Sequence, residues 1–223
     1  APAYLPHSNR SLTRIQSIVD DSRATIALTT AQMRLKSPRW FEQVPDLATL
    51  QWVSTDEIAS SEGEGWQHPV LASDTLAFLQ YTSGSTSTPK GVMVSHGNIM
   101  HNLAAIQHFF QHTPQSVGVS WLPMFHDMGL IACILHSLHV GFPLVLMAPT
   151  AFLQRPLRWL QAISLYKGTF SCAPNFAYEL CMSRITPEEQ AELDLSTWQT
   201  VVTGAEPVRV ETLERFADTF QAC

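Results

Sequence analysis

The chain has 223 residues and a net charge of −6, with 45% hydrophobic and 14% charged residues. This composition supplies a sizeable apolar core, so it excludes an intrinsically disordered chain. The negative charge argues against a general role in binding nucleic acid or a membrane surface. The four cysteines form no CxxC pair and have no metal-like spacing with histidine, which indicates reduced, mostly buried thiols in a cytoplasmic protein.

Residues 1–70 are predicted to form a leading α/β segment. Its elements, in order, are a helix at 11–22, strands at 24–30 and 49–54, and an exposed loop at 60–68. The helix is indicated by Leu12, Ile15 and Ile18, which recur at the spacing of one helical face. The loop, with the sequence SSEGEGWQH, is polar and contains glycine.

The remaining residues, 71–223, alternate regularly between strands and helices. The predicted strands are 76–81, 91–95, 117–122, 142–147, 169–173 and 198–204. The predicted helices are 97–111, 128–140, 155–167, 175–184, 186–193 and 208–220, and Thr186 with Glu189 has capping-box spacing. This alternation predicts an α/β fold in which a largely parallel sheet is flanked by helices.

The stretch 128–149 contains no Asp, Glu, Lys or Arg and is long enough to raise the question of a membrane span. His136 and His139 interrupt its apolar character, and Gly141 and Pro143 split it. We therefore expect a buried helix followed by a buried strand, and no membrane span.

The stretch 81–91, YTSGSTSTPKG, concentrates hydroxyl and glycine residues directly after the predicted strand 76–81. Ligands of α/β sheets bind beyond the carboxyl ends of strands, which is where we expect this loop to lie. Its hydroxyl and backbone N–H groups are typical of an anion-binding nest, and Gly84 permits close approach of the backbone. Lys90 places a positive charge where a polyphosphate would bind.

The loop does not have the Walker A pattern, because Pro89 rather than glycine precedes Lys90 and a strand is predicted to follow. A phosphate-loop kinase or NTPase is therefore disfavoured. A flexible surface linker rich in Ser and Thr is the structural alternative. The ordered Gly-Pro-Lys-Gly framework and the flanking apolar strands favour a binding loop instead.

The sequence YTSGSTSTPKGVMVSHGN, which begins at Tyr81, resembles the phosphate-binding signature of the adenylate-forming superfamily. Two later stretches, SWLPMFHDMGLI at 120–131 and VVTGAEPVR at 201–209, follow in the order typical of that superfamily. Ser87 stands where the superfamily usually has glycine, and together these features are similar to the fatty acyl-AMP ligase branch. The resemblance covers nearly the whole chain and implies that 1–223 is part of the α/β N-terminal domain of that fold.

The resemblance implies a site for Mg-ATP and a fatty acid. The residues implied to bind the β- and γ-phosphates are Thr82, Ser83, Gly84, Ser85, Thr86, Thr88 and Lys90. The residues implied to form a turn on the adenine side are Gly204, Ala205, Glu206 and Pro207. Lys90 and His126 are implied to be catalytic, with His126 beside the substrate carboxylate and the adenylate.

Structural alternatives stay open at several of these positions. His126 could only pack beside Asp127, and Asp127 itself is expected to shape the turn and cap the helix at 128–140. Glu206 could act only as a negative charge at a helix N-terminus. Helices 97–111 and 128–140 would wall an acyl tunnel under the resemblance, although their pattern alone is that of ordinary core.

No metal site is predicted within the chain, because His108 and His112 have a helical ligand spacing but no third ligand accompanies them. Three features of the superfamily are also missing. They are the Tyr-Gly-x-Thr/Ala-Glu motif whose Glu helps to hold Mg²⁺, the Thr-Gly-Asp motif whose Asp binds ribose, and the Lys of the C-terminal lid domain. We therefore expect an internal fragment that binds nucleotide weakly and does not turn over alone.

The reaction implied by the resemblance is attack of a fatty-acid carboxylate on the α-phosphorus of ATP, which gives acyl-AMP and pyrophosphate. Positioning and charge stabilisation carry most of such a step. The acyl group would then pass to the thiol of an acyl carrier protein. Two alternatives stay open: an acyl-CoA synthetase, with CoA as the acceptor, and a nucleotide-binding module without catalysis.

Overall fold

The structure, a computed structural model, describes the backbone of residues 9–82 and 90–223 and the side chains of residues 12–81 and 90–223. The chain divides into two units, Ala1–Asn98 and Ile99–Cys223. Each unit has its own β-sheet pairing and its own cluster of buried apolar side chains.

The first unit contains the predicted helix and all of the predicted strands of its part of the chain. Its elements are α1 (Asn9–Ser22), β1 (Ile26–Thr29), α2 (Ala31–Arg34), α3 (Ser37–Gln43), β2 (Gln51–Ser54), β3 (Leu76–Thr82) and β4 (Lys90–Ser95). The short helices α2 and α3 were not predicted. They form because the Thr30 side chain caps α2 and a proline lies in the first turn of α3. The predicted loop 60–68 is exposed and contains a 3₁₀ turn at Ser60–Gly65.

Strands β3 and β4 form an antiparallel hairpin, in which Tyr81 lies opposite Gly91 and Thr82 opposite Lys90. Residues 83–89 follow the carboxyl end of β3, as expected, but β3 belongs to an antiparallel pair and not to the parallel sheet. Only residues 83–89 separate the two strands. A parallel pair needs a crossover of about a dozen residues or more, so this spacing allows only an antiparallel connection. By contrast, β1 and β2 pair in parallel.

The core of the first unit lies between α1, α3 and the segment that leads into β2. Leu12 and Leu47 are almost fully buried, and Val44 and Leu50 complete the cluster. Trp52 covers it, and its indole N–H donates to the Leu47 carbonyl at 2.8 Å. The helical face predicted from Leu12 is thus the face that packs against this core.

The second unit is a parallel four-stranded sheet with strand order β6-β5-β7-β8. Its strands are β5 (Gly118–Ser120), β6 (Leu144–Leu146), β7 (Phe170–Ala173) and β8 (Thr200–Thr203). Its α-helices are α4 (His96–Phe110, which begins in the first unit), α5 (His136–Val140), α6 (Pro149–Gln154), α7 (Leu157–Tyr166), α8 (Asn175–Arg184), α9 (Pro187–Gln190) and α10 (Val210–Thr219). The largely parallel α/β fold is confirmed here.

The helix predicted at 128–140 is present, but its first part, Met128–Leu135, is π-helical and only α5 is regular. It ends at Gly141, whose φ of +85° is the left-handed conformation that glycine adopts without strain.

Across the described ranges 9–82 and 90–223, no helix is long and apolar enough to cross a membrane. The capping box at Thr186 and Glu189 is confirmed. Helix α6, which begins at Pro149, was not predicted.

Buried polar groups tie the second unit's strands to its helices. The indole N–H of Trp159 on α7 donates to Ser171 Oγ at 2.9 Å, and Ser171 Oγ donates to the Val119 carbonyl at 2.6 Å. Tyr178 Oη on α8 donates to the Val202 carbonyl at 2.8 Å. Since these side chains are buried, each hydrogen bond also avoids the cost of an unpaired polar group. Cys133, Cys172 and Cys181 are buried and free, as predicted.

His112 and His136 form a buried pair that the sequence did not reveal. Their Nδ1 and Nε2 atoms lie 2.8 Å apart, and both rings contact Phe142 and Phe170. Burial lowers the pKa of His112, and burial together with the charges of His112 and His139 lowers the pKa of His136 to about 4. The folded unit therefore holds this pair neutral.

Acidification is expected to destabilise the chain through this pair. A histidine with a folded pKa of about 4 and an ordinary value of 6.5 contributes stability above pH 6.5 that is lost as the pH falls toward 4. We expect the free energy of unfolding in urea to be about 2 kcal/mol lower at pH 5 than at pH 7.5. His136→Gln should reduce this difference, whereas His101→Gln, at an exposed position of α4, should leave it unchanged. If the free energy of unfolding depends equally on pH in the unchanged protein, His136→Gln and His101→Gln, the histidine pair is not the cause of this dependence.

Candidate functional site

The hairpin of the first unit carries the predicted phosphate-binding residues. Ser83, Gly84, Ser85, Thr86 and Thr88 lie outside the described residues, as does the side chain of Thr82. Lys90 is exposed at the start of β4, and its backbone pairs with that of Thr82. Both ends of the predicted loop are therefore held next to each other by strand pairing.

The base of this hairpin is tied to helix α1. Tyr81 Oη donates to Asp21 Oδ2 at 2.5 Å. Burial, with Asp21 adding to it, raises the pKa of Tyr81 to about 12, so the phenol stays a donor. Opposite Tyr81, a Cβ atom on Gly91 would lie 2.9 Å from Tyr81 Cζ and 3.2 Å from Asp21 Oδ2. Glycine at this position thus leaves the room that the tyrosine–aspartate contact occupies.

In the second unit, His126 and Asp127 lie in the connection that follows β5. The His126 side chain is 49% exposed, and its Nδ1 lies 2.7 Å from Asp127 Oδ1. Asp127 Oδ1 also accepts from the Met128 N–H at 2.7 Å, which confirms Asp127 as the cap of the following helix. The Met128 N–H also lies 3.3 Å from His126 Nδ1, so this ring nitrogen faces the turn.

The turn before this helix is very tight. A Cβ atom on Gly129 would lie 2.3 Å from the Pro123 carbonyl oxygen, so no other residue fits without a backbone shift. The Leu130 N–H donates to the His126 carbonyl at 2.8 Å. The eight-residue π-helical stretch Met128–Leu135 begins directly after this turn, and π-helical segments occur frequently at functional sites.

The predicted adenine-side turn, 204–207, directly follows the carboxyl end of β8. A Cβ atom on Gly204 would lie 3.9 Å from Met128 Sδ, so this turn and the His126–Met128 turn are neighbours. Ala205 has a φ of +67°, a left-handed conformation that is uncommon outside glycine. The structure thus brings together the two predicted site segments of the second unit.

Two residues at the start of α8 hold this turn, and sequence reasoning missed both. The Phe176 N–H donates to Glu206 Oε1 at 3.2 Å, so the Glu206 carboxylate meets the N-terminus of α8. Asn175, which is buried, donates through Nδ2 to the Pro207 carbonyl at 2.7 Å. A signal existed in the sequence, because Asn175 lies just beyond the predicted strand 169–173, where ligand sites of α/β sheets form.

The expected wall of an acyl tunnel is only partly an ordinary core. In α4, Leu103 is buried, whereas Met100 and Phe109 are 53% and 80% exposed.

Within 12–81 and 90–223, no group of three or more His, Cys, Asp or Glu side chains is placed to hold a metal ion. His112, one of the two histidines with ligand spacing, instead pairs with His136.

Comparison with known proteins gives a consistent picture. The family model described as AMP-binding enzyme matches residues 6–223. A medium-chain-fatty-acid–[acyl-carrier-protein] ligase, JamA of Moorena producens, is 45% identical over 95% of this chain and 36% of its own length. The ligase of the same description from Teredinibacter turnerae, TtuA, is 35% identical over 100% of this chain and 40% of its own length.

Solved structures agree with these relatives. A fatty acyl-adenylate ligase from L. pneumophila, in complex with acyl adenylate and pyrophosphate, matches with a TM-score of 0.88 and 42% identity. The match covers 99% of this chain and 38% of that chain. The chain therefore spans little more than a third of the length of the relatives it matches.

The crowding at Gly91 can be tested by substitution. Gly91→Ala should lower the free energy of unfolding in urea by about 1 kcal/mol, because the added methyl group displaces Tyr81 and costs its hydrogen bond to Asp21. Gly65→Ala is the matched control, since a Cβ atom there meets nothing within 4 Å. Equal unfolding midpoints for the two variants would contradict the close contact.

Proposed function

The chain belongs to the AMP-binding enzyme family, and on that premise we propose that it forms the substrate-activating part of a fatty acyl-AMP ligase. In the proposed reaction, a carboxylate oxygen of the fatty acid bonds to the α-phosphorus of ATP. The bond from that phosphorus to the bridging oxygen breaks, and pyrophosphate leaves with the electron pair. The observation that carries this proposal is the proximity of the His126–Met128 turn to the 204–207 turn at the carboxyl end of a parallel sheet.

His126 is proposed to orient the fatty-acid carboxylate. Its ring is half exposed and has one nitrogen turned to Asp127, which fixes the orientation of the imidazole. Nε2 can then donate a hydrogen bond to a carboxylate oxygen when the ring is charged. Such a donor positions the nucleophile in line with the α-phosphorus.

The turn 204–207 is proposed to receive the adenine ring. Gly204 and Ala205 have small side chains, so a flat base can lie against their backbone. The Glu206 carboxylate is engaged by the Phe176 N–H, which supports a role in fixing the turn rather than in reading the base. Pro207 adds a fixed φ to the exit of the turn.

The hairpin is proposed to bind the phosphates. Lys90 supplies a point charge for the β- and γ-phosphates. Hydroxyl and backbone N–H donors are proposed to come from Thr82, Ser83, Gly84, Ser85, Thr86 and Thr88. Neutral donors with one lysine suit a reaction whose pyrophosphate product has to leave. Strand pairing between Thr82 and Lys90 keeps the two ends of this binding segment together.

Magnesium is expected to accompany ATP, but the described side chains do not supply its site. The carboxylates of residues 12–81 and 90–223 form no group that could hold a metal ion. No step of the reaction is therefore assigned to Mg²⁺ through residues of this chain.

An acyl carrier protein is the proposed acceptor of the acyl group. This proposal is supported by the relatives from Moorena producens and Teredinibacter turnerae, whose names specify ligation to an acyl carrier protein. We also propose that the 223-residue stretch alone does not complete the reaction, because it spans so little of the length of these relatives.

The proposal predicts a specific set of products. The full-length gene product, incubated with a medium-chain fatty acid and Mg-ATP, should form acyl-AMP and pyrophosphate, and mass spectrometry should detect both. With a phosphopantetheinylated carrier protein it should form the acyl thioester, and with CoA alone it should not. Formation of acyl-CoA would make the protein an acyl-CoA synthetase, and absence of any adenylate would leave a binding module.

The role of His126 predicts a kinetic effect. His126→Ala should lower kcat/KM for the fatty acid by roughly 10- to 1000-fold, because the positioned donor is lost. His68→Ala, at an exposed position of the first unit, is the control and should keep the original value. An unchanged kcat/KM in His126→Ala would remove His126 from the site.

A further inference from the structure

Asn175 connects both sides of the adenine-side turn through a single side chain. Its Oδ1 accepts from the Arg209 N–H at 3.2 Å and from Thr203 Oγ1 at 3.4 Å, and its Nδ2 donates to the Pro207 carbonyl at 2.7 Å. The residue is 3% exposed. Its contacts thus begin at the last residue of β8 and end just before α10.

The orientation of this amide is fixed by chemistry. The Pro207 carbonyl can only accept a hydrogen bond and the Arg209 N–H can only donate one. An amide rotated by 180° would place oxygen against oxygen at Pro207 and N–H against N–H at Arg209. An ionised aspartate has a similar shape but cannot donate to the Pro207 carbonyl. Leucine also has a similar shape, but it can neither donate to that carbonyl nor accept from the Arg209 N–H.

The backbone of the turn needs such an external support. Residues 204–207 lie between a strand and a helix, so neither the sheet ladder nor an intrahelical hydrogen bond fixes them. Ala205 holds a φ of +67°, which persists only where the surroundings determine it. Asn175 supplies partners to backbone groups on the exit side of this residue, at Pro207 and Arg209.

We propose that Asn175 is a positioning residue that holds the turn 204–207 in the shape that receives the adenine of ATP. This inference rests on the proposed function, since the adenine-side role of the turn belongs to it. Asn175 acts through the turn and not on the reacting atoms. Its loss should therefore weaken ATP binding much more than it changes the fatty-acid KM or the rate of the chemical step.

The test uses the full-length gene product and separates ATP binding from turnover. Calorimetry gives the Kd for ATP without fatty acid, and pyrophosphate release gives kcat and both KM values. Asn175→Ala should raise the Kd and KM for ATP roughly tenfold and leave the fatty-acid KM within about twofold. Gln161→Ala, which removes an exposed amide on α7, is the matched control and should change neither.

A second variant distinguishes positioning from general loss of structure. Asn175→Asp keeps the acceptor for the Arg209 N–H, but its ionised form cannot donate to the Pro207 carbonyl. A buried aspartate is protonated more readily than an exposed one, and the protonated acid can donate. The ratio of the Kd for ATP of Asn175→Asp to the Kd of the unchanged protein should therefore fall toward one as the pH is lowered from 8 to 6.

Thr203→Val covers the case in which the Asn175 variants do not fold. It removes only the longest of the three hydrogen bonds, so the Kd for ATP should rise by roughly two- to threefold. A Kd for ATP that stays unchanged in every folded variant would overturn the inference and leave the proposed function standing. An unchanged protein that binds ATP but forms no acyl-AMP would overturn the proposed ligase activity, while the Kd values still decide the role of Asn175. An unchanged protein that does not bind ATP would overturn both.

Discussion

The candidate site of the second unit depends on one constraint, the parallel alignment of β5, β7 and β8. In a parallel sheet, all carboxyl ends lie at the same edge, so connections that are distant in sequence begin side by side. His126 lies in the connection after β5, Asn175 directly after β7 and Gly204 directly after β8. The residues of β5 and β7 are buried throughout, so this alignment is fixed by the core as well as by the backbone hydrogen bonds.

Helix α8 holds the turn that follows β8 in place through hydrogen bonds. Its first two residues bind the segment 204–209, and Tyr178, one turn later, bonds the carbonyl of Val202 in β8. Further along, Glu179 accepts from Thr212 Oγ1 at 2.7 Å on α10. The helix is therefore joined to the strand, the turn and the following helix, and a displacement of any one of them would break buried polar contacts.

In the first unit, the predicted phosphate-binding residues belong to an antiparallel hairpin. The proposed phosphate-binding segment lies between two strands, and the Thr82–Lys90 pairing holds its two ends together. The Tyr81–Asp21 hydrogen bond then fixes the base of the hairpin to α1, and Gly91 leaves room for it. The predicted phosphate-binding residues thus come from one short stretch of the chain. The candidate site of the second unit is instead assembled from connections that are far apart in sequence.

The sequence by itself determined the alternation of strands and helices, the cap at Asp127, the capping box at Thr186 and the resemblance that led to the family. These features depend on a residue's own neighbours, through periodicity, capping and turn chemistry. The antiparallel direction of the hairpin follows from its short connection, whereas only the tertiary structure decided the neutral pair of His112 and His136 and the hydrogen bonds that Asn175 makes to the turn. The partners in these contacts lie far apart along the chain, by 24 residues for the histidine pair and 32 for Asn175 and Pro207. A local pattern carries no information on such contacts, because packing of the whole unit determines which distant groups meet.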